Sequence, residues 1–264
     1  MTYLQAIFLG CVQGLTEFLP ISSSGHLILM EHFFHIKGGG LTFDVFLHLG
    51  TLCAVIGYFW RDWWCFLYAS ISGKDKESRR LFFFIILATI PGALAGVLMA
   101  HAVETVFRDP LSVAFMLLLM SIPLLVAEWV SSQRYSIKDL SLWKALSIGM
   151  AQALAIIPGT SRSGITMATG LFLGLRRDEA AHFSFLLSAP IIAGAGLFKM
   201  IGAVKTGMVL SPIYMVGFLS SLISGVLVIA WLLNFLKQHT FYPFVIYRVG
   251  LAGSIYALVK FFNL

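Results

Sequence analysis

Gln13-Gly14-Leu15-Thr16-Glu17-Phe18-Leu19-Pro20-Ile21-Ser22-Ser23-Ser24-Gly25-His26 sits in a stretch, Met1 to about Phe34, that is apolar yet cannot cross a membrane as one helix. Pro20 and the polar run Ser22-Ser23-Ser24-Gly25 break it. Each piece is shorter than the roughly 20 apolar residues that a span needs. A dip into the membrane and back, helix–loop–helix, fits this pattern. Irregular backbone at that depth is tolerated only inside protein or beside a watery cavity. A second such region begins near Lys144, breaks at Pro158-Gly159-Thr160-Ser161-Arg162-Ser163-Gly164 and resumes as Ile165–Leu175.

The two breaks align at a constant offset of 139 residues: Gly10 on Gly149, Gln13 on Gln152, Ser22 on Ser161, Ser24 on Ser163, Gly25 on Gly164. Downstream, Phe46-Leu47 falls on Phe185-Leu186 and Phe59 on Phe198. The rest of the chain is what a bilayer demands. Of 264 residues, 59% are hydrophobic and 11% charged, and the mean hydropathy is +0.90. Soluble chains carry about a quarter charged residues. A cytosolic enzyme, a secreted module and a disordered chain are excluded. Six further stretches are long enough to span: Thr42–Trp60, Leu81–Ala100, Leu111–Val130, Ala180–Met200, Pro212–Leu233 and Pro243–Phe262.

The expected fold is therefore an all-α integral membrane protein, one domain over 1–264. Six transmembrane helices and two re-entrant segments form an inverted-topology repeat, about 1–139 and 140–264. Three crossings per half make the second copy enter from the opposite side, and paired broken segments in inverted halves point to a midplane site. One side would carry Arg61, Lys74, Lys76, Arg79, Arg80, Arg134, Lys138, Lys144, Arg176, Arg177 and Lys237; the other, Lys37, Arg108, Lys199, Lys205 and Lys260. Eleven against five makes the first side cytoplasmic and puts both termini outside. The net charge of +6 then reports topology, not nucleic-acid binding. With no Lys or Arg before Lys37, the apolar start lacks a signal peptide's basic leader and reads as mature chain. Cys11, Cys53 and Cys65 form no CxxC pair and read as apolar packing residues. Gly10/Gly14, Gly92/Gly96 and Gly170/Gly174 have the spacing of close helix packing.

Charges inside such sequence need partners. Gln13 and Glu17, four apart, share one helix face, and an ionised Glu17 there costs about 2.5–3.5 kcal/mol on insertion scales. It calls for a cation, a proton or water. The serine loop opens the next half-helix, whose free N–H groups favour an anion. His26, in that first turn, can exchange a proton near neutral pH or attack as a nucleophile. Arg162, between Ser161 and Ser163 with Thr166 one turn on, suits a bidentate grip on phosphate. Together these residues predict a site for a charged phosphate group. Glu17 and Gln13 would hold a divalent ion, magnesium or calcium, because oxygen ligands favour hard cations. A structural salt bridge between Glu17 and Arg162, or a proton relay at Glu17, is the plainer alternative. Serines cap a half-helix in either case. Asp44 and His48 read either as supports of the site or as a polar face at the membrane edge. Arg248 needs a partner and would touch substrate or neutralise a carboxylate. Glu31, His32 and His35 read as an interfacial cluster.

The Gln13–His26 stretch resembles the first signature of the bacterial undecaprenyl-diphosphatase family of the bacitracin-resistance type, and Pro158–Thr166 resembles the second. Similarity continues through Phe43–Gly50, Glu179–Pro190 and Phe241–Arg248, so it covers nearly the whole chain. The resemblance implies hydrolysis of undecaprenyl diphosphate to undecaprenyl phosphate and inorganic phosphate. It implies a multi-pass protein of the bacterial inner membrane, a divalent cation, a site open to the outer face, and bacitracin tolerance through recycling of the cell-wall lipid carrier. Carried over by position, Glu17 and Gln13 become the metal-associated pair. Ser23 and His26 become candidates for nucleophile or proton transfer, and Ser161, Arg162 and Thr166 phosphate binders, with Ser22, Ser24, Ser163 and Arg248 beside them. Gln13 stands at the first acidic position of that pair, and His182 where many members have Glu. Ser23 with His26 as base, direct attack by His26, and activated water all remain open. The rival class is a flippase or carrier of a phosphate lipid or anion, since broken inverted repeats are also transporter architecture. A homo-oligomer is compatible with either.

Overall fold

The computed structural model describes residues 1–34, 36, 40–107, 109–205 and 211–262. His35, Lys37 and Arg108, used above for the interfacial cluster and the charge count, lie outside the described residues. Regular structure is helical, apart from one isolated bridge between Tyr135 and Leu175.

The first broken region folds as α1 (Tyr3–Phe18) and α2 (Ser23–Phe33). A capping box between Thr2 and Gln5 starts α1. It stops at Leu19, whose backbone is extended, because the residue before proline is driven out of the helical region. The second region repeats this as α8 (Leu142–Ala153), a short 3-10 turn, and α9 (Arg162–Phe172). Among the long apolar segments, α5 (Lys76–Val106) and α10 (Arg177–Lys205) carry Pro91 and Pro190 inside them. α11 (Pro212–Leu236) begins with proline at its first turn after Ser211, and α12 (Tyr242–Phe262) closes the fold.

One expected span is followed by a sharp turn and another is interrupted at a single residue. Thr42–Trp60 is matched by α3 (Gly40–Tyr58), but the chain continues as α4 (Trp60–Ser72) at 72° to it. The turn falls where Trp60-Arg61-Asp62 ends the apolar run. Leu111–Val130 divides into α6 (Pro110–Leu119) and α7 (Ser121–Val130). Pro123 has no N–H for the carbonyl of Leu119. Among the described residues five segments are long and apolar enough to cross a membrane, Pro110–Val130 counted as one, or six if the bent α3–α4 pair counts as one.

Packing crosses between the halves. α1 lies along α11, and α8 along α5. Gly10 and Gly14 make the first contact possible: a Cβ on Gly10 would fall 2.5 Å from the Gly217 carbonyl oxygen. In the other two pairs the first glycine packs closely, a Cβ on Gly92 falling 3.1 Å from Gln152 Nε2 and one on Gly170 3.0 Å from the Ala180 Cβ. Gly96 faces open space, and Gly174 has φ +87 in the turn after α9. Gly10→Val should lower the detergent melting temperature by several degrees, since overpacking costs about 1–3 kcal/mol. Gly57→Ala, where a Cβ meets nothing within 4 Å, should melt with wild type. Of the cysteines, Cys53 and Cys65 are exposed and Cys11 partly so. At one end, Glu128 pairs with Arg177 and accepts the Phe241 N–H at 3.3 Å, joining α7, α10 and α12. Behind the breaks, Phe18 packs edge-on against Phe185 at 5.3 Å within the main aromatic and aliphatic core.

Candidate active site

The two breaks share one local geometry. Ser22 has φ 76 and ψ 97, Ser161 φ 71 and ψ 106, a region that L-residues populate sparsely at about 1–3 kcal/mol each. Each caps its half-helix: Ser22 Oγ accepts the Gly25 N–H at 3.3 Å and Ser161 Oγ that of Gly164 at 3.1 Å. Each hydroxyl also lies near that of the serine two residues on, Ser24 at 3.5 Å and Ser163 at 3.3 Å. The breaks are stitched to each other. The Gly159 N–H donates to Ser22 Oγ at 3.1 Å, and Ser163 Oγ donates to the Leu19 carbonyl at 2.8 Å. Two helix starts, α2 and α9, thus meet at one place.

Glu17 lies between them and is only 7% exposed. Its Oε1 accepts from Arg162 Nη2 at 2.8 Å. Its Oε2 accepts from Ser23 Oγ at 2.6 Å and from Gln13 Nε2 at 3.0 Å. The remaining Arg162 fork is aimed by the Ser184 carbonyl, 3.1 Å from Nη1. Thr166 Oγ1 shares a 2.6 Å bond with Ser184 Oγ, so Thr166 braces the arginine's surroundings from below. Gln13 Oε1 is buried without a hydrogen-bond partner, one turn before Glu17. That orphaned oxygen beside a carboxylate fits a hard divalent cation. Among the described residues no three His, Cys, Asp or Glu side chains group together, so the protein builds no closed cage.

His26 is not turned toward Ser23. Its Nδ1 lies 2.7 Å from the Ser22 carbonyl, which can only accept, so the ring hydrogen sits on Nδ1. Nε2 lies 2.7 Å from the Tyr247 hydroxyl, and the two rings are near-parallel. The imidazole that approaches the carboxylate is His48, with Nε2 3.9 Å from Glu17 Oε2 and Nδ1 tied to the Asp44 carbonyl at 2.7 Å. His182 stands apart, stacked on Phe59 and 3.7 Å from Asp62.

Of the two roles expected of Arg248, neutralising a carboxylate is not what the structure shows. Arg248 is fully buried, and its partners are carbonyls and one hydroxyl, with no carboxylate among them. Nε donates to Leu117 O at 3.1 Å and Ser121 Oγ at 3.0 Å. Nη1 reaches Pro20 O at 3.1 Å and Thr160 O at 3.2 Å, and Nη2 reaches Gly159 O at 3.1 Å. One guanidinium therefore holds both breaks and the carboxyl end of α6, where the helix dipole favours a cation. It pins the two loops to each other. Sequence reasoning passed over Ser184 and Tyr247. The only sign of Tyr247 was a polar-tipped aromatic beside an intramembrane arginine.

The bacitracin resistance protein BacA family matches residues 6–254 of this chain. The undecaprenyl-diphosphatase of Moorella thermoacetica is 48% identical over 258 residues, 98% of each chain. That of Desulforudis audaxviator is 46% identical over 262 residues, 98% of this chain and all of the relative. That of Pelotomaculum thermopropionicum is 45% identical over the full length of both.

Proposed function

We infer a lipid diphosphatase from a plain premise: the chain belongs to the bacitracin resistance protein BacA family. It is a multi-pass membrane hydrolase that converts undecaprenyl diphosphate to undecaprenyl phosphate and inorganic phosphate, which recycles the cell-wall lipid carrier and confers bacitracin tolerance. One observation carries the chemistry: Ser23, Glu17 and Arg162 form a hydrogen-bonded line at the meeting of two helix starts.

In the reading this supports, Ser23 Oγ attacks the terminal phosphorus as its hydrogen passes to Glu17 Oε2. The bond from that phosphorus to the bridging oxygen breaks, and undecaprenyl phosphate leaves with the electron pair and takes up the proton. Water then attacks the phosphoserine, giving its proton to Glu17, which returns it to the departing serine oxygen; inorganic phosphate is released. Arg162 and the N–H groups of α2 and α9 bear the charge spread over the phosphoryl oxygens. His26, its lone pair held by Tyr247, is not the base for Ser23. Gln13 Oε1 and Glu17 would hold magnesium or calcium, which supplies charge neutralisation at the phosphates; substrate oxygens would complete its shell. The matched serine caps support an inverted repeat of about 1–139 and 140–264, with α1–α2 and α8–α9 as the re-entrant segments. The basic-residue count supports a site facing the outer side of the inner membrane.

The test is phosphate release from undecaprenyl diphosphate by detergent-purified protein. Arg162→Lys should cost about two to three orders of magnitude in rate, and excess chelator should abolish release. Detergent offers no second compartment, so folded wild type that binds the lipid but releases no phosphate would overturn hydrolysis in favour of translocation.

A further inference from the structure

His26 is 4% exposed and Tyr247 44%. The imidazole therefore meets the outside of the site through the phenol. With Nδ1–H committed to the Ser22 carbonyl, the neutral ring has one free lone pair, on Nε2, and the Tyr247 O–H fills it. In that state the phenol hydrogen points inward, unavailable to a ligand. If Nε2 takes a proton from solvent water, the bond must reverse: Nε2–H donates, Tyr247 Oη accepts, and the phenol hydrogen is freed. His26 lies in the first turn of α2, whose N-terminus the diphosphatase reading gives to the phosphate, so the freed donor lies against that end of the helix.

We propose that Tyr247 is the phosphate-binding arm of His26: protonation at Nε2 turns the Tyr247 O–H outward onto an oxygen of the lipid diphosphate. This rests on the diphosphatase reading above. No covalent bond changes; one solvent proton is taken up with the substrate and returned on product release. The charged and titratable groups on the elements around His26 are few. Glu17 of α1 is committed to Arg162 and Ser23, α6 contributes none, Glu31 and His32 lie further along α2, and Arg248 of α12 acts on the ring with a positive charge that persists from pH 5 to 9. The pH response at this pair is therefore that of His26 and Tyr247.

The experiment is KM and kcat for undecaprenyl diphosphate in detergent from pH 5 to 9, for wild type and Tyr247→Phe. In wild type, KM rises as pH rises and His26 loses its proton. Tyr247→Phe should raise KM roughly tenfold at low pH, one hydrogen bond to a charged group, and flatten that rise. Wild-type KM with an unchanged pH limb in the Phe variant would overturn the proposal. Placing 3-fluorotyrosine at 247 gives a second readout that leaves packing intact. A more acidic phenol favours the neutral imidazole, so the limb should move to lower pH; an unmoved limb also overturns it. Failure of the diphosphatase reading looks different, because wild type itself would then release no phosphate.

Discussion

Glu17→Gln protein should fold, bind lipid and release phosphate about a thousandfold more slowly than wild type, the scale of a lost general base. The amide fills the same volume and its one oxygen can still accept from Arg162 Nη2, but the nitrogen then facing Ser23 Oγ only donates and cannot take the proton. Glu17→Ala goes further. It strands the Arg162 guanidinium, whose side chain is 13% exposed, and breaking a buried pair from one side costs about 3–5 kcal/mol. The alanine variant should thus lose both turnover and thermal stability, and the glutamine variant turnover alone. Initial rates with parallel melts in detergent separate the two. A glutamine variant keeping more than about a tenth of the wild-type rate would remove Glu17 from the proton-transfer step.

Arg248→Met should be the most destabilising single substitution outside the carboxylate. Methionine matches much of the volume but leaves the carbonyls of Pro20, Gly159, Thr160 and Leu117 without their donor. A hydrogen bond to a charged group contributes about 1.5–3 kcal/mol, and these share one fork, so about 5 kcal/mol is lost in all. At roughly 2–4 °C per kcal/mol for a chain near this size, the melting temperature should drop by about 10–20 °C. Lysine, a point charge without the planar fork, should fall between. If Arg248→Met melted with wild type but no longer turned over, Arg248 would be touching substrate instead.

The parts of this architecture legible in the sequence are those with side-chain signatures. Pro20 with its serine run, and Pro158-Gly159 with the next, marked both breaks because nothing else in so apolar a chain asks for them. Glu17 and Arg162 announced each other, since each needed an opposite charge in a medium without water. Arg248 announced its need but not its answer: backbone carbonyls accept protons anywhere and leave no trace in residue type. The bend at Phe59 and the interruption at Met120 were hidden because apolar composition continues through α6 and α7 and nearly through α3. The partnership of His26 with Tyr247 joins residues 221 apart in sequence, so neighbouring residues do not reveal it. Without it, the adjacency of Ser23 and His26 suggests a nucleophile–base pair that the hydrogen bonds do not make.

The crossed packing of α1 on α11 also dictates when the protein can be finished. Ser224, on α11, reaches back to the carbonyl of Gly10, 214 residues earlier, and the guanidinium that joins the breaks comes later still. A ribosome delivers the first half-helix into the bilayer long before its groove exists. During most of synthesis Gln13 and Glu17 therefore have neither Arg162 nor α11 beside them. Chains truncated before the last two helices would leave the Gly10 and Gly14 face of α1 without the helix that covers it. Insertion of the last two helices is thus the step that completes both the packing of α1 and the join between the breaks.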